Sequence, residues 1–329
     1  MLEMLTRPLD RLAIRMGTAS VCGGSAGSPA TAGQSSIEEP DFFCDDAAIP
    51  HDLAFINEKE FRFTSAISTP WDDNNLVHGK LLRCGPDWKE RPSVILLHGW
   101  NGEWGYRWQF PWLAWRLTRA GINAAMLELP YHGRRKPRAA GAIRNFISHD
   151  LPRVAEAARQ AEADTRALLA WLSAQGSPSV GLWGISLGAW LTGRVACSDA
   201  RAGFSVLMSP VAQMDRAIAE LEFCEPIRRG LQTARLPLDH LNLAARSPLC
   251  SPENVLLIES QHDLFAPVET IEELWRAWGE PEIWRLPHGH ISVLGSLPVL
   301  ERTVKWIGRK ARTFEVQSSR FKVPGCSHC

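Results

Sequence analysis

The sequence predicts an α/β fold, a mostly parallel, twisted sheet of eight strands with helices on both faces. Short aliphatic runs alternate with segments of helical periodicity from about residue 60 to residue 312. Strands that are regularly separated by helices form parallel sheets with helices on both faces. The run Ser93 to Leu97 (SVILL) has the continuous apolar character of a strand buried on both faces.

Composition restricts the class of protein before any motif is considered. The chain has 329 residues, of which 45% are hydrophobic, and this is ample for a substantial core. The 36 basic and 36 acidic side chains cancel, so we expect a small-molecule partner and no nucleic acid. No apolar run approaches the roughly 18 residues of a membrane span, and we expect no secretory signal and a cytoplasmic location.

Three segments are expected along the chain: an N-terminal helix and linker (1–50), the main domain (51–312) and a C-terminal tail (313–329). Residues 1–16 are typical of a short amphipathic helix, and residues 17–39 have the Gly, Ser and Ala content of a flexible linker. The helix could dock on the domain, mediate a homodimer or touch a membrane surface. We assign no catalytic residue to residues 1–39.

The eight cysteines are expected to be reduced thiols, because a chain of this size does not need disulfides. Cys326 and Cys329 have the spacing of half a zinc site. No second pair of ligands accompanies them, so we expect a tail without a metal.

The predicted elements follow the order that this fold needs. Two strand-like segments precede the buried strand, and a long helix begins at Asp150 with Pro152 in its first turn. Two insertions, residues 134–150 and 211–250, are long enough to form a small lid. The predicted strands are 60–69, 75–84, 93–97, 122–130, 179–183, 204–210, 254–260 and 282–287, and the other helices are 106–121, a helix ending at Cys197, 267–278 and 297–312.

The stretch VGLWGISLGAWL (180–191) places Ser186 between Gly184 and Gly188, at the junction of a buried strand and a helix. A nucleophile elbow requires this context, because glycines on either side let the backbone turn sharply and keep side chains away from the serine. An ordinary turn serine is the competing interpretation. The other motifs favour the nucleophile.

A serine nucleophile needs a base and an acid that orients the base, and in this architecture both follow later strands. Asp263 lies on the loop after strand 254–260, and His290 follows the last strand. Glu259 is a second carboxylate, but it lies inside the strand. His288 competes with His290, and the pair also has a His-x-His metal spacing, although no carboxylate cluster completes such a site.

Two backbone amides are needed to bind the developing oxyanion. Leu187, directly after the serine, would supply one. Trp100 would supply the other from the loop HGWNG (98–102), where Gly99 and Gly102 allow the main chain to approach closely.

Four motifs together resemble the α/β-hydrolase superfamily: HGWNG (98–102), GISLGA (184–189), ESQHDLFAP (259–267) and PHGHIS (287–292). The resemblance covers residues from about 60 to 312. It implies Ser186 as the nucleophile, Asp263 as the acid, His290 as the base, and Trp100 and Leu187 as oxyanion donors. In the segment PYHGRRKP (130–137), Tyr131 replaces the glycine that relatives carry. We expect the substrate-binding residues to be His98, Gly99, Tyr131, Arg134 and Arg135.

The sequence therefore predicts a carboxylesterase-type serine hydrolase that cleaves an ester, a thioester or an amide of a small molecule through an acyl-enzyme. No metal or organic cofactor is implied. Peptidase and acyltransferase activities use the same triad and stay open. A binding or scaffold protein on a vestigial hydrolase fold, and a lipase that acts at membranes through residues 1–16, are further alternatives.

Overall fold

A computed structural model describes residues 2–22, 48–139, 142, 144–148, 150–234 and 238–321. Within these residues, nine strands form one sheet. The strands are β1 (Ala54–Phe55), β2 (Glu60–Thr64), β3 (Leu76–Leu82), β4 (Ser93–Leu97), β5 (Asn123–Leu127), β6 (Val180–Ile185), β7 (Ala202–Met208), β8 (Val255–Ser260) and β9 (Glu282–Leu286). Their spatial order is β1-β2-β3-β5-β4-β6-β7-β8-β9. Pairings from β5 through β4 to β9 are parallel, and those among β1, β2, β3 and β5 are antiparallel.

Ten α-helices complete the described part of the chain. The helix at Asp150 begins as predicted, because the Asp150 carboxylate accepts a hydrogen bond from the Arg153 amide at 3.1 Å. The helices are α1 (Leu2–Cys22), α2 (Asp72–Asn75), α3 (Phe110–Arg119), α4 (Leu151–Ala174), α5 (Leu187–Ser198), α6 (Met214–Glu220), α7 (Glu225–Ala234), α8 (Val268–Ala277), α9 (His290–Leu294) and α10 (Leu297–Phe321).

Both faces of the sheet are buried, as the sequence predicts. All five residues of β4 and all six of β6 are buried, because helices α4, α5 and α8 cover one face and α3 and α10 cover the other. The predicted fold class is thus confirmed. The additional ninth strand, β1, is a two-residue edge strand that pairs Ala54 with Arg62, too short to produce a periodic signal.

The ends of the chain differ from the sequence prediction. Helix α1 continues to Cys22, so residues 17–22 of the expected linker are helical. Gly17 is buried, and a Cβ there would lie 2.7 Å from the Trp100 ring, so glycine permits close packing of the helix on the domain. At the other end, α10 continues to Phe321 and includes the first residues of the predicted tail.

In the described part of the chain, Cys197, Cys224 and Cys250 are free thiols. Cys326 and Cys329 lie outside the described residues. Across the described ranges, no group of three or more His, Cys, Asp or Glu side chains is arranged to hold a metal ion. No helix in those ranges has the length and the apolar character that crossing a membrane requires.

Candidate active site

Ser186 lies on a sharp turn between β6 and α5. Its φ of 56° and ψ of −119° are unusual for a residue with a side chain. The turn closes only with glycines at the flanking positions, because a Cβ on Gly184 would lie 2.1 Å from the Gly188 carbonyl oxygen. A Cβ on Gly188 would lie 2.2 Å from the Leu97 carbonyl oxygen. The two glycines therefore have a steric role in holding Ser186 on this turn.

Asp263 and His290 form a hydrogen-bonded pair. The distance from His290 Nδ1 to Asp263 Oδ2 is 2.8 Å, and we assign the proton to Nδ1 because the carboxylate can only accept. The other carboxylate oxygen accepts bonds from the amides of Phe265 and Ala266, both at 2.8 Å. Both carboxylate oxygens of Asp263 thus accept hydrogen bonds, and the neutral imidazole of His290 is held in the tautomer whose Nε2 is unprotonated.

Ser186 and His290 line the same cavity. No hydrogen bond joins Ser186 to His290 among the described contacts of either residue. Catalytic hydrogen bonds are often long in the unliganded enzyme and shorten when substrate binds. Phe265 stacks on the imidazole with ring centroids 4.5 Å apart and fixes the plane of the ring.

The electrostatic surroundings of His290 favour its protonated form. Burial lowers the pKa of His290, but the carboxylates of Asp263 and Asp10 more than compensate, so that its pKa is raised above the ordinary value of 6.5. These same carboxylates would stabilise an imidazolium at this position.

The competing residues lie apart from this pair. Glu259 is buried within β8, where burial and the neighbouring Glu272 raise its pKa to about 7. His288 is partly exposed, and its Nδ1 lies 3.3 Å from Ser292 Oγ. Neither Glu259 nor His288 lines the cavity, and the geometry joins Asp263 with His290.

Two neutral histidines hold the loop that follows β4. His98 Nε2 accepts a hydrogen bond from the Leu129 amide at 3.1 Å, and His132 Nε2 accepts one from the Asn101 amide at 3.2 Å. Burial lowers the pKa of both rings, that of His132 to about 3, so both stay uncharged at neutral pH. The sequence pattern did not single out His132, although this residue lies in the PYHGRRKP segment.

The held loop brings Gly99 against the elbow. A Cβ on Gly99 would lie 3.1 Å from Ser186 Cβ, so glycine is what allows this approach. The amides of Trp100 and Leu187 donate no hydrogen bond within the described structure, and Leu187 begins α5, where the first amides are unpaired. His98, Gly99, Trp100 and Leu187 all line the cavity.

Three residues predicted to bind substrate lie elsewhere. Tyr131 is fully buried, with the Arg153 guanidinium 4.3 Å from its ring centroid. Arg134 pairs with Glu128 at 3.0 Å. Arg135 is fully buried in an ion pair with Asp164 at 2.8 Å, so the basic cluster on this loop is partly structural and does not line the cavity.

Asp10 was not predicted to take part in the site, because it belongs to a segment without an assigned catalytic role. Its carboxylate accepts hydrogen bonds from the amides of His290 at 2.9 Å, Ile291 at 3.0 Å and Leu264 at 3.1 Å. No local pattern could have revealed these contacts, because Asp10 and His290 are 280 positions apart.

The cavity next to Ser186 has a volume of about 840 Å³. Helices α1, α4, α6 and α7 contribute to its wall. Most of the lining residues that come from the predicted insertion 211–250 belong to α6, α7 and the turns around them. This insertion therefore borders the site, as a lid would.

A sequence profile of the alpha/beta hydrolase family matches residues 94–329. The chain belongs to this family. An uncharacterized protein of Mycobacterium tuberculosis strain H37Rv is 30% identical to this alpha/beta hydrolase over 236 residues. The match covers 69% of the chain but only 55% of that relative, so the chain spans about half the relative's length.

Solved structures with the same fold include several esterases. An acetyl xylan esterase from Paenibacillus sp. R4 has a TM-score of 0.60 at 15% identity, covering 88% of this chain and 97% of that one. The Pyrococcus furiosus esterase Pf2001 has a TM-score of 0.53 at 18% identity, covering 78% and 92%. Est1E from Butyrivibrio proteoclasticus, solved with ferulic acid, has a TM-score of 0.54 at 12% identity, covering 75% and 100%. At these identities, the likeness concerns the fold.

Proposed function

We propose that this alpha/beta hydrolase is a serine hydrolase that cleaves carboxylic esters through an acyl-enzyme. The observation that carries the proposal is the hydrogen-bonded Asp263–His290 pair on the same cavity as Ser186, whose backbone is held in a strained turn. Ser186 is the nucleophile, His290 the general base and Asp263 the residue that orients the base.

In the first half-reaction, Ser186 Oγ attacks the ester carbonyl carbon while its proton moves to His290 Nε2. The negative charge that develops on the carbonyl oxygen is bound by the amides of Trp100 and Leu187, and one such donor typically contributes about 3 kcal/mol. The tetrahedral intermediate then expels the alcohol, which takes the proton from His290. The acyl group stays on Ser186.

In the second half-reaction, a water molecule gives its proton to His290 Nε2 and attacks the acyl carbon. Collapse of the second tetrahedral intermediate releases the carboxylic acid, and the proton on His290 returns to Ser186 Oγ. The charges of Asp263 and Asp10 favour the imidazolium that forms in each half.

The choice of an ester is supported by analogy, since two of the structures described above, the Paenibacillus acetyl xylan esterase and the Pyrococcus furiosus protein Pf2001, are named as esterases. An ester also makes a smaller demand on this constellation than an amide does, because an alkoxide is a better leaving group than an amide anion.

The test is covalent labelling with a fluorophosphonate, read by intact mass and peptide mapping, on wild type, Ser186→Ala and a matched control, Ser209→Ala. Ser209 follows the neighbouring strand β7 and also has a positive φ, of 44°, but its hydroxyl is bonded to Ser260 Oγ at 2.8 Å. We expect one adduct on wild type and on Ser209→Ala and none on Ser186→Ala.

A folded wild type without an adduct would overturn the nucleophile assignment and favour a binding protein. Unlabelled wild type is then assayed with nitrophenyl acetate and with the matching nitroanilide. Hydrolysis of the ester but not of the anilide supports the esterase, whereas faster cleavage of the anilide would overturn the choice of substrate.

A further inference from the structure

The only ionisable side chains that line the cavity beside Ser186 within the described part of the chain are the histidines His98, His240 and His290 and the thiol Cys224. Among the described residues that line it, none is Asp, Glu, Lys or Arg. Burial and the neighbouring Arg194 and Arg246 lower the pKa of the His240 that lines it, so this imidazole is neutral. A carboxylate or an ammonium group would be desolvated there without a partner, which is strongly unfavourable.

Apolar side chains from four helices line the space. Helix α1 contributes Leu9 and Met16, α4 contributes Leu151 and Ala158, and the remaining apolar wall comes chiefly from 211–241. The residues of that last segment are Val211, Met214, Ala217, Ile218, Leu221, Phe223, Ile227, Leu231, Leu238 and Leu241. A volume of about 840 Å³ is typical of sites that enclose a large part of a ligand.

Apolar residues are also exposed at the edge of this cavity. Met16 is 66% exposed and Trp104 is 68% exposed, and both line it. Leu9, 46% exposed, is a third. An apolar chain that enters past these side chains therefore meets no charged side chain of the described cavity wall.

We propose that the natural substrates are neutral esters with a long apolar chain that occupies this cavity. The inference rests on the proposed function, because it places the ester carbon at Ser186. Each methylene that leaves water for the cavity would strengthen transition-state binding, up to about fourfold in kcat/KM at full burial.

The test measures kcat/KM for the nitrophenyl esters of acetate, butyrate, octanoate and dodecanoate, and for ethyl acetate and octyl acetate. A rise of at least about tenfold from acetate to octanoate places the chain on the acyl side. A preference for octyl acetate over ethyl acetate without that rise places it on the alcohol side. Equal or falling rates in both series would overturn the inference while leaving the esterase intact.

A filled cavity should remove the preference. Ala158→Phe places a ring in the space from α4, and we expect octanoate hydrolysis to fall at least about tenfold while acetate hydrolysis persists. Acetate is thus the internal control for folding and catalysis. If that variant does not fold, Ala155→Phe, at a less buried lining position, serves the same purpose. Parallel loss of both activities in a folded variant would contradict the placement of the chain.

A charged ester is the matched chemical control. The nitrophenyl monoester of glutaric acid has the chain length of the pentanoate ester but ends in a carboxylate. We expect the pentanoate to be preferred at least about tenfold, because the described lining offers no cation to the carboxylate. A preference for the glutarate would overturn the inference.

A second inference comes from the contacts of Asp10. Its fully buried carboxylate joins the two loops of the candidate triad, since it binds Leu264 beside Asp263 and the backbone amides of His290 and Ile291. A Cβ on Gly289 would lie 2.9 Å from Asp10 Oδ2, so the approach of the carboxylate requires a glycine before His290.

Charge as well as geometry connects Asp10 with the base. Among the described groups, the charges that act on His290 are those of Asp263 and Asp10. Burial raises the pKa of Asp10, and its bonds from the Ile291 and His290 amides and the charge of His290 oppose that rise. Helix α1 also contacts the loop 98–102 (HGWNG), because Gly17 packs on the Trp100 ring.

We infer that Asp10 is a positioning residue, which fixes His290 against Asp263 through backbone hydrogen bonds and supports the imidazolium with its charge. The inference rests on the proposed function for its kinetic consequence. Its electrostatic consequence, a His290 that titrates at a higher pH when Asp10 is present, does not depend on any activity.

The test compares Asp10→Asn, Asp10→Glu and a matched control on the same helix, Thr6→Val. Thr6 is also buried, but its hydroxyl has no hydrogen-bond partner within the described structure, so its removal should change neither rate nor stability. We expect Asp10→Asn to lower kcat/KM at least about tenfold and to move the acid limb of the pH profile to lower pH. Asp10→Glu should keep that limb near the wild-type position.

NMR titration of His290 separates the two proposals. A lower His290 pKa in Asp10→Asn supports the inference even if the wild type reacts with no ester or fluorophosphonate, in which case only the proposed function fails. An unchanged pH profile and an unchanged His290 pKa in a folded Asp10→Asn variant would show that Asp10 merely attaches α1, and would overturn the inference.

Discussion

Replacing Arg135 by Ala should destabilise the whole domain rather than weaken substrate binding. The guanidinium is fully buried, forms an ion pair with Asp164 at 2.8 Å, and donates to the carbonyl oxygens of Asn74 at 2.8 Å and Glu128 at 3.1 Å. Its removal leaves the Asp164 carboxylate buried without its cation. Breaking such a pair lowers the free energy of unfolding by roughly 3–5 kcal/mol.

The pH dependence of this loss has a defined sign. Burial already raises the pKa of Asp164, and Arg135 opposes that rise. Without Arg135 the pKa of Asp164 in the folded protein rises further above the ordinary carboxyl pKa that it has in the unfolded chain. As pH increases above that ordinary value, Asp164 therefore loses its proton more readily in the unfolded chain than in the folded protein, and this favours unfolding. The destabilisation should therefore be larger at about pH 8 than at about pH 5.

Urea denaturation followed by tryptophan fluorescence measures the free energy of unfolding, with Arg138→Ala as the matched control. Arg138 belongs to the same basic cluster and pairs with Asp73 at 2.9 Å, but its side chain is 79% exposed, so we expect a loss below about 1 kcal/mol. The reasoning is refuted if Arg135→Ala unfolds like the wild type and nevertheless loses hydrolase activity, because Arg135 would then act on substrate.

Three further predictions concern the site itself. Burial lowers the pKa of His290, but its carboxylate neighbours raise it above 6.5 overall, so kcat/KM should rise with pH through a midpoint above that value. Asp263→Asn should lower this midpoint, because it removes one of those carboxylates. A midpoint that does not move would contradict the pairing of Asp263 with His290. Gly188→Ala should abolish fluorophosphonate labelling, because the new Cβ would lie 2.2 Å from the Leu97 carbonyl oxygen, and full labelling would refute the steric argument. Burial raises the pKa of the Cys224 thiol to about 12, so iodoacetamide at about pH 8 should modify Cys224 only after unfolding, as peptide mapping would show.

The sequence by itself determined the fold class and the order of the candidate catalytic groups. Alternation of apolar runs and helical periodicity is a local property, and it located the eight longer strands to within a few residues. The carboxyl ends of parallel strands lie at one edge of a sheet, so the loops with Ser186, Asp263 and His290 could be expected to meet there. The structure brings Asp263 and His290 to 2.8 Å, while the catalytic roles stay a prediction.

Only the tertiary structure decided what surrounds these groups. Arg135 has the local composition of a solvated basic loop, and its burial depends on Asp164 from a distant helix. Asp10 belongs to a segment that resembles a detachable amphipathic helix, yet it contacts His290 across 280 positions. The physical reason is that burial and ion pairing depend on residues from several distant elements, and these contacts leave no periodicity in any one stretch of the chain.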